Sequence, residues 1–353
     1  MYQTRMKEAI EAIKKGEMII IMDDEDRENE GDLVMAGIFS TPEKINFMAQ
    51  EARGLICVSI TQELAHKLDL PPMVQRNDSN HETAFTISID AREAKTGISA
   101  YERDLTIRLM CDSNAEPSDF VRPGHIFPLI AKSGGTLIRT GHTEASVDIC
   151  KLSGLAPISV ICEIMKKDGT MAGRGDKFLL DFAKTHNLKI LYVSDIIQYR
   201  LNFENLVREI SREKAVFMAK ECEKITFIDH LQNCHIAFGF SPETKTPLIR
   251  FHNTSSDIAL LTDSNEWQSL QKSIGLLSQQ GGYLICLNSE NMANSGNIAK
   301  NCGDIKDFGI GAQILKKLGV KDFTLLSSHC ANANKSYNAL SGFDLHLKKS
   351  IEV

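Results

Sequence analysis

The chain has 353 residues, room for two domains at roughly 100–200 residues each, and its 42% apolar and 24% charged content excludes a disordered chain. Forty-six acidic against forty basic residues leave a net charge of −6, which gives no general attraction for nucleic acid or an anionic membrane. The early apolar run Met18–Met22 is far short of the roughly 20 residues of a membrane span, and Glu8, Glu11 and Glu17 spoil a signal peptide, so a cytoplasmic protein is expected. The nine cysteines are odd in number and contain no Cys-x-x-Cys pair, so neither a disulfide framework nor a zinc ribbon is expected.

Met6, Ile10 and Ile13 recur at helical spacing and predict an opening amphipathic helix that Gly16 can end. Met18–Met22 predicts a buried strand running straight into the acidic stretch Asp23–Asp32. Leu55–Ile60 and Ala84–Ile89 read as strands, with a short helix over Thr61–Leu68 and the Pro71-Pro72 pair between. Thr136–Arg139 and Ser146–Ile149 read as short extended pieces around a Gly-His-Thr turn, and Ile158–Met165 as a strand or the start of a buried helix. A helix over Phe178–His186, a strand over Ile190–Val193 and a helix over Ile196–Arg208 complete an irregular alternation, which favours an α+β or three-layer α/β domain over a strict βαβ repeat. The boundary is placed at 204/205, before a stretch rich in Glu, Lys and Arg. Beyond it, strands over 225–228, 235–240, 248–251, 283–287 and 323–326 and helices over 266–278 and 311–318 predict a second α/β unit.

Asp23–Asp32 packs seven carboxylates and one arginine into ten residues. A solvated loop is the usual fate of such a run. Here it abuts a buried strand, Arg27 sits beside Glu28, and Gly31 lets the backbone turn before Asp32. Hard divalent cations take carboxylate oxygens, waters and substrate oxygens, so Mg²⁺ is expected here. Arg139-Thr140-Gly141-His142-Thr143-Glu144 offers a guanidinium, two hydroxyls and an imidazole within six residues, which suits a small phosphorylated, hydroxyl-rich substrate. His125, between Pro123 and Pro128, sits in a rigid loop where a structural role is the ordinary one. Glu163 interrupts an apolar run and must be paired, protonated or functional.

Taken together, DDEDRENEGD (23–32), GLICVSI (54–60), TAFTISIDA (83–91), TGISA (96–100), RPGHIFPL (122–129), RTGHTEASVDI (139–149) and ICEIMKKDGTMA (161–172) resemble, in this order, the 3,4-dihydroxy-2-butanone 4-phosphate synthase family. The resemblance implies an α+β, three-layer α/β/α homodimer that converts D-ribulose 5-phosphate to 3,4-dihydroxy-2-butanone 4-phosphate and formate with Mg²⁺ or Mn²⁺, two ions per site. It implies Glu28 and His142 as metal ligands, and Arg27, Glu28, Asp32, Arg139, Thr140, Gly141, His142, Thr143 and Glu163 as substrate contacts. His125 and Glu163 are implied as essential, and Asp32 and Glu30 are placed beside them as proton carriers. The sequence departs from the family at 77–82, at Lys95, at Tyr101-Glu102 and at 173–176, none of them residues assigned to chemistry.

The second half resembles a GTP cyclohydrolase II domain at Pro247–His252 and Asp307–Val320. Where that family has zinc cysteines, this chain runs Asn253-Thr254-Ser255-Ser256-Asp257 onward without one, and its phosphate-handling stretches are replaced by 288–291 and 328–332. Hydroxyls do not replace thiolates on zinc. Residues 205–353 are therefore expected to form a folded, zinc-free and cyclohydrolase-inactive α/β domain.

Overall fold

A computed structural model describes residues 2–25, 27–80, 83–241, 244–254, 256–262, 264–288, 305–327 and 345–353. Asp26, His81, Glu82, Cys302 and Cys330, and the substituted stretches 289–291 and 328–332, lie outside the described residues. The chain divides into two units, Met1–Tyr199 and Arg200–Val353, the division falling inside the helix Val193–Phe203.

The first unit runs α1 (Tyr2–Lys14), β1 (Ile19–Met22), β2 (Gly31–Ala36), α2 (Pro42–Phe47), β3 (Cys57–Ile60), α3 (Gln62–Lys67), β4 (Ile89–Ala91), α4 (Ala100–Met110), β5 (Phe120–Ile130), α5 (His142–Leu152), β6 (Ser159–Glu163), α6 (Lys177–Thr185), β7 (Lys189–Tyr192) and α7 (Val193–Phe203). The strands form one mixed sheet in the order β4-β5-β3-β6-β2-β1-β7. Every residue of β1 and β2 is buried, as continuous apolar strands covered on both faces require. Ile20, Met22, Leu33, Met35, Val58 and Val160 share one core with Ile45, Met48, Ile107 and Met110 from the α2 and α4 side. The alternate residues Ile19, Ile21 and Val34 are equally buried on the other face, where α1 and α5 pack. The result is the three-layer α/β/α arrangement.

Four sequence expectations are corrected. Of the strand expected over Ala84–Ile89 only Ile89 lies in a strand, β4, while Phe85 and Thr86 form isolated bridges. Ser146–Ile149 is not extended but lies inside α5, because His142–Leu152 buries its residues between sheet and α1 and tertiary packing overrides the β-branched pair. Thr136–Arg139 is a single helical turn over Gly135–Leu137 rather than a strand. The segment around His125 is not a loop, since Pro123 and Pro128 sit within the eleven-residue β5. Neither proline breaks it: β5 pairs along Phe127–Ile130 with parallel β3, and beside β4 the register shifts between Ile89 and Asp90.

The second unit holds β8 (Val207–Phe217), β9 (Lys220–Asp229), β10 (Cys234–Phe240), β11 (Leu248–Asn253), α8 (Asp257–Thr262), α9 (Ser264–Gln280), β12 (Gly282–Leu287), α10 (Ile305–Lys317), β13 (Asp322–Ser327) and β14 (His346–Glu352). They build a second seven-stranded sheet, β14-β13-β11-β12-β10-β9-β8. The charged stretch after residue 207 is the outer hairpin β8–β9, whose largely exposed edge strand carries ion pairs such as Arg212–Glu223 at 2.7 Å. Charge on an edge strand discourages pairing with another chain.

The β9–β10 turn is organised by Asp229. Its Oδ1 accepts from the amides of Leu231 and Asn233, both at 2.8 Å, and its Oδ2 from Asn233 Nδ2 at 3.0 Å. His235 Nδ1 accepts from the Asn288 amide at 3.1 Å, so a neutral ring carries its proton on Nε2, which faces Asp229 Oδ2 at 3.4 Å. Burial alone raises the Asp229 carboxyl, but His235, Asn233 and the two amides pull it down to about 2. A carboxyl depressed by folding contributes stability above its ordinary value and loses it as pH falls through the folded value. The fold is therefore expected to weaken between about pH 4 and pH 2 through this residue. Asp229→Asn should flatten that acid limb and cost about 1–3 kcal/mol at neutral pH, read from circular-dichroism melts across the pH range.

Candidate active site

Strand register gathers the polar residues. Asp32 on β2 stands opposite Glu163 on β6, and Cys57 on β3 opposite Ile161. Residues two apart on a strand share a face, so all four point to the side on which α5 lies. A one-residue slip would turn Asp32 and Glu163 into the other core. Above them a cavity of about 370 Å³ is walled by Arg27, Glu28, Glu30, Asp32, Arg139, His142, Thr143 and Glu163, together with Cys57, Thr83, Phe85, Leu129 and Ile161. A larger cavity of about 720 Å³, behind the segment from Pro72 to Asn80, shares Glu28, Thr83 and Phe85 with it.

Eight of the residues expected from sequence thus meet in one cavity. Thr140 and Gly141 do not line it; they lead into α5, whose first residue is His142 and whose preceding Gly141 supplies no side-chain cap. The amides of the first turn of α5 are therefore left for an anion. His125 does not line the cavity either. It stands on β5, with β3 between it and β6, so its backbone is two strand spacings, about 10 Å, from that of Glu163.

Asp23, given no role on sequence, organises the acidic loop. It is fully buried, its Oδ2 accepts from Arg27 Nη1 at 2.8 Å and the Glu28 amide at 3.1 Å, and its Oδ1 accepts from the Glu30 amide at 2.9 Å. Arg27 also forks onto Glu28, at 2.5 and 3.2 Å. The loop is thus a wrapped anion and not a solvated run. Glu144, buried beneath Arg139, fixes that guanidinium at 2.7 Å and accepts the Lys132 amide at 3.0 Å, while Thr83 Oγ1 accepts from Arg139 at 3.2 Å. The signal for these supporting residues was position alone: Asp23 ends the buried strand, and Glu144 falls one turn into a helix.

Asp23, Glu28 and His142 each bring a ligand atom within 4.8 Å of the others. Both oxygens of Asp23 are committed to the loop and both oxygens of Glu28 to Arg27, so a cation held by Glu28 and His142 would share Glu28 with that guanidinium. His142 Nδ1 lies 3.7 Å from Glu28 Oε2, and its Nε2 lies 3.2 Å from the Glu30 carbonyl and 3.9 Å from Asp32 Oδ1. That Asp32 oxygen is buried without a hydrogen-bond partner among the described residues. A buried carboxylate oxygen left unsatisfied beside an acidic loop is what a cation site requires.

Burial raises the Glu28 carboxyl, but His142 and Arg27 more than reverse this and hold it near 2. Asp32 is pushed well up, first by burial and then by Glu163, Glu30 and Glu28, against the pull of His142. Burial also lifts Glu30. Burial disfavours charged His142, yet Asp32, Glu28 and Asp23 outweigh it and raise the imidazole. Cys57 is a wall residue only, its thiol held far above its ordinary value by burial.

Among the described residues no helix is long and apolar enough to cross a membrane. Residues 7–199 match the 3,4-dihydroxy-2-butanone 4-phosphate synthase family, and residues 212–352 match GTP cyclohydrolase II. A Helicobacter hepaticus protein named 3,4-dihydroxy-2-butanone 4-phosphate synthase is 76% identical over the whole of both chains. The crystal structure of RibBX, a two-domain 3,4-dihydroxy-2-butanone 4-phosphate synthase from A. baumannii, superposes with a TM-score of 0.80 at 38% identity, covering 99% of this chain and 100% of that one. A further synthase structure, in complex with two magnesium ions, covers 56% of this chain and 97% of its own at 40% identity and a TM-score of 0.52. The chain belongs to the 3,4-dihydroxy-2-butanone 4-phosphate synthase family of riboflavin biosynthesis.

Proposed function

We propose that the first unit converts D-ribulose 5-phosphate to L-3,4-dihydroxy-2-butanone 4-phosphate and formate, using Mg²⁺ or Mn²⁺ held by Glu28 and His142. The observation that carries this reading is one cavity that brings ligand atoms of Glu28 and His142 within 4.8 Å of each other, with an unsatisfied buried carboxylate oxygen and an uncapped helix start beside Arg139. It is supported by the related synthase solved with two magnesium ions. Arg139 and the first amides of α5, with Thr140 and Thr143 near them, bind the phosphate. Arg27 and Glu28 orient the sugar hydroxyls. Bound divalent cations supply positive charge beside the ketone and hydroxyl oxygens, which lowers the cost of removing a carbon-bound proton.

Within that field Asp32 and Glu30 take and return protons as the enediol forms and the C1 hydroxyl leaves as water, and Glu163 faces the same carbons from β6. The phosphate-bearing carbon then migrates, water is taken up again, and formate departs, so the atoms of the sugar phosphate are conserved between the two products. His125 acts from β5, beside an apolar patch made by Ile98 and by Tyr101 and Leu105 of α4, which are 55, 71 and 38% exposed, and we propose that a second copy of the chain covers that patch.

The second unit is a cyclohydrolase-like fold without zinc chemistry. No cysteine stands between His252 and Glu266, His252 Nδ1 faces Glu266 Oε1 at 3.5 Å, and Cys286, opposite His252 in the sheet, has a thiol raised to about 11 by burial. Incubation with D-ribulose 5-phosphate and Mg²⁺ is expected to release stoichiometric formate, whereas GTP should release none and the purified protein should carry no stoichiometric zinc. Formate from GTP, or none from ribulose 5-phosphate, would overturn the corresponding half of the assignment.

A further inference from the structure

The hydrogen-bonding capacity of His125 is half used inside the fold, by a residue to which neither the motifs nor the cavity assigns a role. Asp90 lies on β4 where its register against β5 shifts, and it is 6% exposed. Its Oδ1 accepts the His125 backbone amide at 2.8 Å and its Oδ2 lies 2.8 Å from His125 Nδ1. One carboxylate thus grips both the main chain and the ring of the same residue. A carboxylate only accepts, so Nδ1 must carry the proton and a neutral ring keeps its lone pair on Nε2. The His125 side chain is still 43% exposed, so the ring is held at one edge and open at the other.

The pair is enclosed by a segment the sequence singled out for its unusual residues. Glu102, in the first turn of α4, accepts from the amides of Lys95, Thr96 and Gly97 at 2.7, 3.1 and 3.2 Å. It also accepts from the hydroxyls of Thr96 and Ser99 at 3.0 and 2.9 Å. The clamp fixes Gly97 at φ +83° over the pair, where a β-carbon would stand 2.0 Å from Asp90 Oδ2 and 2.6 Å from His125 Nδ1. Only glycine lets the backbone lie there. A clamped glycine, a buried carboxylate and a half-open imidazole form a built seat rather than a chance contact.

We infer that Asp90 is a positioning residue for turnover: it fixes His125 in the Nδ1–H tautomer and presents Nε2 as the proton-accepting atom, with Glu102 and Gly97 holding the pair closed. This rests on the reading that His125 takes part in turnover. In Asp90→Asn the carboxamide oxygen still accepts the His125 amide, but its NH₂ now donates to Nδ1, which moves the ring proton to Nε2. The expected result is a fall in kcat of about 100-fold with KM changed less than threefold, at the low end of what a positioned acid–base group contributes. Gly97→Ala, which displaces the pair without altering its chemistry, should lower kcat in the same direction.

The tautomer is read separately by ¹⁵N–¹H correlation spectroscopy of His125 without substrate: Nδ1–H in the wild type, Nε2–H in Asp90→Asn. That reading requires no turnover, so failure of the seat and failure of the enzymatic assignment give different results. A wild-type ring protonated on Nε2 alone, or an Asp90→Asn kcat within twofold of wild type while His125→Ala is inactive, overturns the inference.

Discussion

Glu28→Ala is expected to lower kcat by about 10³-fold, close to 4 kcal/mol of transition-state stabilisation, while leaving the fold intact. Glu28 touches both halves of the site, Arg27 at 2.5 Å and His142 at 3.7 Å. Its removal takes away a cation ligand and at the same time frees Arg27 from one of its two carboxylates. Asp23 still holds the loop through the amides of Glu28 and Glu30, which no side-chain change at residue 28 disturbs. The thermal midpoint should therefore move by only a few degrees. Mn²⁺ binding followed by electron paramagnetic resonance separates the two effects, since Glu28→Gln keeps the shape and a contact to Arg27 but loses the charge. Both variants should lose Mn²⁺ affinity, and Glu28→Ala should lose more. Turnover at a tenth of the wild-type rate or better in Glu28→Ala would remove Glu28 from the ligand set.

Much of the catalytic unit could be read from the chain because its sheet is buried on both faces. Ile19–Met22 and Val160–Cys162 are apolar without interruption; the break in the second run marked Glu163, whereas Asp32 was marked by the acidic stretch that follows the first. Elements dictated by tertiary contact were not legible. The β-branched residues of 146–149 suggested extension, yet they lie in a helix packed against the sheet. The proline-flanked His125 looked like a loop because pairing with β3 and β4 across more than thirty residues has no local signature. The supporting acids escaped for a related reason. Asp23, Asp90 and Glu144 act through backbone amides and through other side chains, and only a fold shows which amides come within reach.

The second unit shows the converse, a fold pattern kept where the sequence lacks the expected zinc cysteines. The buried apolar positions of β10, β11, β12 and β13 still build a seven-stranded sheet, and Arg250 and His252 still stand at the end of β11. They now meet Glu266 at 2.8 and 3.5 Å. His252 and Arg250 hold that carboxylate near 2, against the upward push of burial. The buried Arg250 guanidinium is paired by that carboxylate, and breaking such a pair strands a buried charge.

Gly54→Ala tests how finely Glu163 is placed, and it should be the most damaging one-carbon change near the cavity. A β-carbon at residue 54 would meet the Glu163 carbonyl oxygen at 2.4 Å, its Oε2 at 2.5 Å and its amide nitrogen at 2.7 Å. The β6 backbone cannot yield: Glu163 is paired with Asp32, and the next amide, of Ile164, donates to the Gly31 carbonyl at 2.9 Å. The 54–55 segment must shift instead, which pulls the Leu55 amide from Glu163 Oε2, now 2.8 Å away. Freed of that donor, the carboxylate swings out of line with the substrate carbons. A fall in kcat of about 100-fold is expected, with a loss of about 1–3 kcal/mol in stability from overpacking. Mn²⁺ affinity should be unchanged, because Glu28 and His142 belong to other segments. Glu163→Gln, which still accepts from Leu55 but has no charge, should lower kcat by a similar factor at full stability. If Gly54→Ala instead kept wild-type kcat, the Leu55–Glu163 hydrogen bond would be shown not to aim the carboxylate.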